Sequence, residues 1–446
     1  MTLTTPPEPT TNAPVLPYDP TGVATRFRWV ICALLFFATT INYVDRQILA
    51  LLKPILDNEL HWTKAEYGMV NSAFQASYGI SVIFFGWFVD RYGAKIGYAV
   101  SIGAWSVAAL GHALVNSIGG FFGARIALGL GEGGNFPSAI KATTLWFPRR
   151  ERALATSLFN SGANVGAVLA PMTVPFIAER MGWHWTFIFA GLAGLAWLVL
   201  WFPLFDLPQQ SRRVSPAELL HIESDPATAA DSGTVAWRSL LADSRAWSLI
   251  VAKFMTDPVW WFFLIWLPDF FKDNRHLDIK NSWPLLVGVY SIITVLSIFG
   301  GWLSGSLISR GMSVTKARKL SMLIFALCVV PIAFATRVDN WTAVCLIGLA
   351  GAAHQAWSAT IFTTISDMFP KAAVAKLVGF GTAAGSLGGI GFPIITGVVL
   401  DKFPGAGYTI LFGVCSLAYV VAFAVHHLLA PSFEQRQGRA GFPVSE

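Results

Sequence analysis

Twelve times along this chain the residues stay apolar for about twenty positions, the length at which a helix crosses the hydrocarbon of a bilayer. The runs lie at approximately 28–51, 66–89, 95–115, 119–146, 153–178, 183–204, 246–271, 282–308, 318–336, 341–368, 374–400 and 406–430. Strands of a membrane barrel would be half as long and would alternate apolar with polar residues. The expected fold is therefore an all-α membrane protein of twelve transmembrane helices. Composition agrees: 54% of residues are hydrophobic and 13% charged, and the mean hydropathy is +0.56, against roughly 45–50% apolar and 25% charged in soluble domains.

Basic residues orient the chain. Of the 31 Lys and Arg, 19 lie in the N-terminal tail, the loops after even-numbered runs and the C-terminal tail, and 8 in the loops after odd-numbered runs. Positive charge collects on the cytoplasmic side, so both termini are expected there. The net charge of +6 comes mostly from these flanking loops and gives no reason to expect nucleic acid. Cys32, Cys328, Cys345 and Cys415 all fall inside runs without disulfide or metal spacing, and read as small packing residues.

These features divide the chain into a disordered cytoplasmic tail at 1–27, a six-helix bundle at 28–204, a cytoplasmic connection at 205–245, a second six-helix bundle at 246–430 and a cytoplasmic tail at 431–446. The first tail is Pro- and Thr-rich and lacks the order of a cleavable signal. Within the connection, SPAELLHIE carries the Ser, Pro and Glu of a short capped helix.

Four basic residues remain inside the runs: Arg46, Arg125, Lys141 and Lys253. A buried charge costs about 2.5–3.5 kcal/mol on insertion scales, so such residues face a polar cavity, pair, or both. The fourth run, GGFFGARIALGLGEGGNFPSAIKATTLWFP from Gly119 to Pro148, places Arg125 and Glu132 on one helical face, about 10 Å apart along the axis. Glu132 falls near the bilayer midplane; Lys141 is close enough to the cytoplasmic end to snorkel there. In the first run, INYVDRQILALLKP sets Asn42, Tyr43, Asp45 and Arg46 in apolar surroundings that continue beyond them. The plain alternative, a helix ending at Asp45, does not account for that continuation.

The second run contributes Gln75 and Tyr78 and ends in a GxxxDRxGxK turn made by Gly86, Asp90, Arg91, Gly93 and Lys95. Glycine permits close approach and sharp turning, and charges there can bond across helix ends; simple positive-inside anchoring explains Arg91 and Lys95 but not Asp90. In the fifth run Asn160 and Asn164 sit one turn apart, either as interhelical glue or as ligands, and Gly162 and Gly166 allow close packing. In the seventh, Lys253 and Asp257 are at i and i+4, a neutralised structural pair or part of a binding site.

The two halves repeat at a shift of about 222 residues: Gly129 falls on Gly351, Glu132 on His354, Phe147 on Phe369, Gly166 on Gly388 and Pro171 on Pro393. Six runs against six preserve topology, so the repeats are parallel and related by an axis along the membrane normal, with a cavity between the bundles. Glu132 and His354 are then expected to face it from opposite sides, although a satisfied packing histidine is the plainer reading of His354 alone.

Twelve runs in two halves, the Gly86–Lys95 turn and the NYVDR stretch together resemble the major facilitator superfamily over residues 28 to 430. Within it the chain resembles the anion:cation symporters, on Asn42 to Arg46 and Arg125 with Glu132. KFMTDPVWWFFLIWLPDF from Lys253 to Phe270 and AHQAWS from Ala353 to Ser358 look like the bacterial hexuronate transporters. The first half is also similar to D-galactonate transporters, with Asp45, Tyr78, Arg125, Glu132 and Asn164 at that group's binding and proton positions, Asn164 replacing a glutamine. Thr382 stands where that group has an asparagine, and Phe362 where it has a tryptophan.

The resemblance implies proton-coupled import of a sugar acid by alternating access, in a bacterial inner membrane, by a protein expected to act as a monomer with no cofactor beyond the coupling proton. Asp45 and Glu132 are the expected proton sites. A hexuronate offers one carboxylate, several hydroxyls and apolar ring faces. Arg46, Arg125 or Lys253 can hold the carboxylate; Tyr78, Asn160, Asn164, His354, Gln355 and Thr382 can bond hydroxyls; Trp260 and Trp261 can stack on the sugar, though adjacent residues cannot both face one pocket. Asp257 completes the expected set. An aldonate such as galactonate is the alternative substrate. An enzyme is disfavoured, for the chain has no nucleophile elbow, HExxH or phosphate-cradling loop.

Overall fold

A computed structural model describes residues 25–224, 237–369 and 371–433. The expectation of a disordered tail at 1–27 falls largely outside these residues, as does most of the tail at 431–446. Among the described residues the fold is helical throughout, with no strand.

The first half comprises α1 (Phe27–Leu60), α2 (Lys64–His112), α3 (Ile118–Glu132), α4 (Asn135–Trp146), α5 (Arg149–Met181) and α6 (Trp183–Leu204). The connection contributes α7 (Pro216–Ile222) and α8 (Trp237–Leu241). The second half follows as α9 (Ser244–Asp273), α10 (Ile279–Ser309), α11 (Val314–Val329), α12 (Asn340–Met368), α13 (Lys371–Lys402) and α14 (Gly407–Leu429). These helices make twelve crossings, because α2 supplies two and α3 with α4 supply one.

The doubling of α2 has one cause. Gly93 sits at φ 84° and ψ 164°, a backbone that side chains with a Cβ adopt only under strain, and it folds the helix into two arms. The fourth crossing departs from the single continuous helix expected: it breaks at Gly133–Gly134. Its glycines let it nest between the arms of α2. A Cβ on Gly129 would lie 2.2 Å from Ser77 Oγ, one on Gly131 2.4 Å from the Trp105 nitrogen, and one on Gly134 2.5 Å from Phe85. Leu130 and Phe136 leave another side of the segment exposed, while Glu132 is carried toward α1.

The repeat is visible in packing. Gly166 of α5 lets the α1 backbone approach, its Cβ position 2.5 Å from the Thr40 carbonyl; Gly388 of α13 does the same for α9, 2.7 Å from the Phe254 carbonyl. The expected capped helix is α7, where Ser215 accepts a hydrogen bond from the Glu218 backbone N–H. Glu218 is wholly buried and turns back to cap α1, accepting from the backbone N–H groups of Phe27 (3.0 Å) and Arg28 (3.1 Å) and from the Arg28 guanidinium (3.1 Å).

Candidate functional site

The centre of the first half is a polar cluster built by α1, α2 and α3. Arg46 donates from Nε to the Glu132 carboxylate at 2.6 Å. Its guanidinium carbon lies 5.2 Å from the Tyr43 ring, 5.5 Å from Phe74, 4.5 Å from Tyr78 and 5.9 Å from Trp261. Three of those rings belong to the first half and the fourth to α9 of the second, so the arginine sits where the halves meet. Aromatic faces attract the cation and confine its plane.

The arginine on the same helix, Arg125, is not the partner of Glu132. Arg125 and Glu132 share a face of α3, but two turns of axial separation is too far for contact. Arg46 approaches Glu132 sideways from α1 instead, and Arg125 donates to the Arg46 carbonyl at 3.5 Å while packing 5.4 Å over Phe74. Around this pair Asn42 lies buried beside Glu132, Asp45 is buried with neither carboxyl oxygen hydrogen-bonded, and Arg125 Nε is likewise without a hydrogen bond. Native interiors satisfy nearly all such groups. These groups lie together on α1 and α3.

The second half carries its own cluster on α9, α12 and α13. Lys253 lies 2.9 Å from Asp257, donates to Ser358 at 3.2 Å and stands 4.7 Å over the Phe362 ring. Asp257 presses against Gly385, where a Cβ would fall 2.1 Å from its Oδ2. His354 is buried within this half: its Nδ1 is 2.6 Å from the Tyr419 hydroxyl, which donates to the Thr256 carbonyl at 3.2 Å. Trp260 stacks on His354 with rings 5.4 Å apart and 5° from parallel. The adjacent tryptophans therefore divide, Trp260 lying inside its own half and Trp261 reaching Arg46.

Other expected ligands differ in exposure. Asn160 and Thr382 are exposed, and the Thr382 hydroxyl donates to its own helix at Val378. Asn164 and Gln355 are half-buried. At the turn, Asp90 pairs with Lys141 at 2.9 Å, so Lys141 is an end contact, and Lys95 pairs with Asp206 at 2.7 Å; Arg91 is exposed.

One face of α2 records how the halves sit. Gly68, Gly79 and Gly86 share it, eleven and seven residues apart. A Cβ on Gly68 would lie 2.4 Å from the Pro393 carbonyl, one on Gly79 3.8 Å from Ser386, and one on Gly86 would meet nothing within 4 Å, so this glycine makes no close helix approach here. The halves diverge toward the end that holds the Gly86–Lys95 turn, the start of α1 and the end of α14.

At the opposite end they are locked by charged residues near the helix ends. Lys53 of α1 meets Asp269 of α9 at 2.7 Å and Asp57 of its own helix at 3.0 Å; Lys64 reaches Asp269 at 3.2 Å and also pairs with Asp273; Lys272 reaches Asp57 at 3.0 Å; and within the second half Tyr408 donates to Asp269 at 2.6 Å. The signal was present, for Lys53 and Asp269 each interrupt an apolar stretch, but each lies near a helix end where single charges are ordinary.

The model of the family described as the Major Facilitator Superfamily matches residues 35–393. The chain belongs to that superfamily. It is a multi-pass membrane transporter rather than an enzyme. It is 30% identical over 402 residues to a D-galactonate transporter of Escherichia coli O6:H1, covering 85% of this chain and 90% of that one. Over 401 residues it is 28% identical to a hexuronate transporter of Escherichia coli K12, covering 87% and 91%. It is also 28% identical over 432 residues to a probable galactarate/D-glucarate transporter of Bacillus subtilis, covering 91% and 92%. Among solved structures, a bacterial homolog of the human lysosomal transporter Spinster, inward-facing and occupied, superposes with a TM-score of 0.73 at 16% identity, over 91% of this chain and 97% of that one. This superfamily transporter thus shares a fold with that structure, and its two halves meet at Arg46 and Trp261.

Proposed function

We propose that the protein is a proton-coupled symporter that imports hexuronates, glucuronate or galacturonate, across the bacterial inner membrane by alternating access. The observation that carries this reading is the Arg46–Glu132 pair at the join of the halves, with the unpartnered Asp45 carboxyl on the same helix as the arginine. An arginine compensated by a titratable carboxylate binds an anion well only when that carboxylate is protonated. Protonation of Glu132 removes its claim on Arg46, and the guanidinium is then free to take the substrate carboxylate bidentately. Loss of the proton on the far side of the cycle returns Arg46 to Glu132 and weakens its hold on the substrate. Asp45 is the second proton site, Arg125 supports the field around the carboxylate, and Trp261 offers an aromatic plate from the other half.

With both termini cytoplasmic, the locked end is periplasmic and the divergent end opens inward. The similarity to a D-galactonate transporter, covering 90% of that protein, supports an aldonate as the alternative substrate. Proteoliposome uptake of labelled glucuronate, galacturonate and galactonate under an imposed pH gradient tests the reading. Uptake of a hexuronate above galactonate, abolished by a protonophore, is the expected result; uptake indifferent to the protonophore would overturn the coupling.

A further inference from the structure

The second-half cluster bears on a question that the superfamily does not answer: how many carboxylates the substrate carries. Relatives of similar identity have names specifying acids with one carboxylate and acids with two. In the first half, two arginines face two carboxyls, so protonation of one carboxyl releases one cation for the substrate. A sugar diacid needs another at its far end.

The chain has a candidate. Along α9, Asp257 lies four residues from Trp261, about 6 Å along the axis, toward the end where the halves diverge. A six-carbon chain spans about the same distance between its terminal carbons, at roughly 1.5 Å per bond with zigzag foreshortening. A sugar acid anchored at Arg46 and lying against Trp261 therefore brings its far end to the level of Asp257 and Lys253. There the lysine is already claimed: it lies 2.9 Å from Asp257, donates to Ser358 and covers Phe362. The lysine is not aligned on Asp257 Oδ1 as a hydrogen bond, and the aspartate side chain keeps 18% of its surface accessible. The pair presents a neutral but polar wall, suited to a hydroxyl or ring oxygen and hostile to a carboxylate placed beside a carboxylate.

We propose that Asp257 is the specificity-determining residue that restricts this site to sugar acids with one carboxylate, by neutralising Lys253 and withholding the second cation a diacid requires. The inference rests on the sugar-acid reading above. It places the discrimination in the second half, away from the proton sites.

Counterflow of labelled galacturonate in proteoliposomes, competed by unlabelled galactarate, tests it with the full chain. Wild-type protein is expected to exchange galacturonate and to resist galactarate. In Asp257→Asn, galactarate should compete roughly tenfold better or more relative to unlabelled galacturonate, the worth of one charge-assisted contact. The double variant Asp257→Asn with Lys253→Gln should lose that gain. If Asp257→Asn does not fold, Gly385→Ala gives a second route, since its Cβ would displace the Asp257 carboxylate from the pair. Competition by galactarate equal to that by galacturonate in wild type, or an unchanged ratio in the variants that exchange galacturonate, overturns the proposal. Wild-type protein that exchanges no galacturonate and is stabilised by neither acid overturns the hexuronate reading itself, and this inference falls with it.

Discussion

Lys53 and Asp269 meet at 2.7 Å between α1 of the first half and α9 of the second, and both side chains are almost wholly buried. The pair belongs to a network, since Lys53 also meets Asp57 at 3.0 Å and Asp269 also takes Lys64 at 3.2 Å, so each charge keeps a second partner when the other is removed. The contact is a latch that must part whenever this end of the transporter opens.

Asp269→Asn should weaken the locked end by less than the about 3–5 kcal/mol that follows when an isolated buried pair is broken from one side, because Lys53 keeps Asp57 at 3.0 Å, and should shift the protein toward the state open at that end. Thiol labelling of a cysteine introduced near Trp62 should quicken. In the double variant Lys53→Gln with Asp269→Asn the loss of thermal stability should be less than the sum of the two single losses, because both remove the same contact; strictly additive losses would contradict a direct pair.

Gly397→Ala should slow the transport cycle by disfavouring the same locked arrangement, since its Cβ position is 2.3 Å from the Lys64 carbonyl oxygen, a backbone atom with little freedom to move. Gly86→Ala should leave this conformation intact, because nothing lies within 4 Å. Crosslinking between α2 and α13 at the locked end separates the two outcomes.

Glu132→Gln should retain counterflow exchange while losing accumulation driven by a pH gradient. The amide mimics the protonated acid and leaves Arg46 free for substrate through the whole cycle. Persistent accumulation would remove Glu132 from the coupling role.

Arg46→Lys should weaken substrate binding at least about tenfold, although charge is kept. Lysine has no Nε to hold Glu132 while a planar fork engages the substrate carboxylate, and it loses the flat cation that Tyr43, Tyr78 and Trp261 surround. Affinity measured by calorimetry with galacturonate checks this.

Outside the membrane, Glu151 lies 2.8 Å from His221 of α7 and accepts from Arg28 at 3.0 Å. Burial alone would raise its pKa, but the His221 hydrogen bond and the Arg28 guanidinium outweigh burial and hold it below the ordinary glutamate value. A depressed carboxyl stabilises the folded contact above its unfolded pKa and loses that stabilisation as pH falls through its folded one. Attachment of α7 should thus hold at neutral pH and loosen only below the ordinary glutamate range, read as faster hydrogen exchange at Leu219 and Leu220 in acid; equal loosening between pH 8 and 6 would show that Glu151 does not set it.

Much of this was legible in the residues alone. Membrane helices must satisfy every backbone group internally and stay apolar for a fixed length, so the twelve crossings, the repeat and the exceptional Arg46, Arg125, Glu132 and Lys253 were all readable from spacing and hydropathy. Even the short helix at Pro216 announced itself by its cap. Partner choice was not readable in the same way. That Glu132 takes Arg46 and not Arg125, that Trp261 and not Trp260 reaches the join, and that Lys53 finds Asp269 are consequences of how separate helices are set side by side. Periodicity gives the face on which a residue lies, but which neighbour that face meets, and at what height, is decided by interhelical packing through glycines such as Gly129, Gly166 and Gly388, whose effect appears only when the whole bundle is assembled.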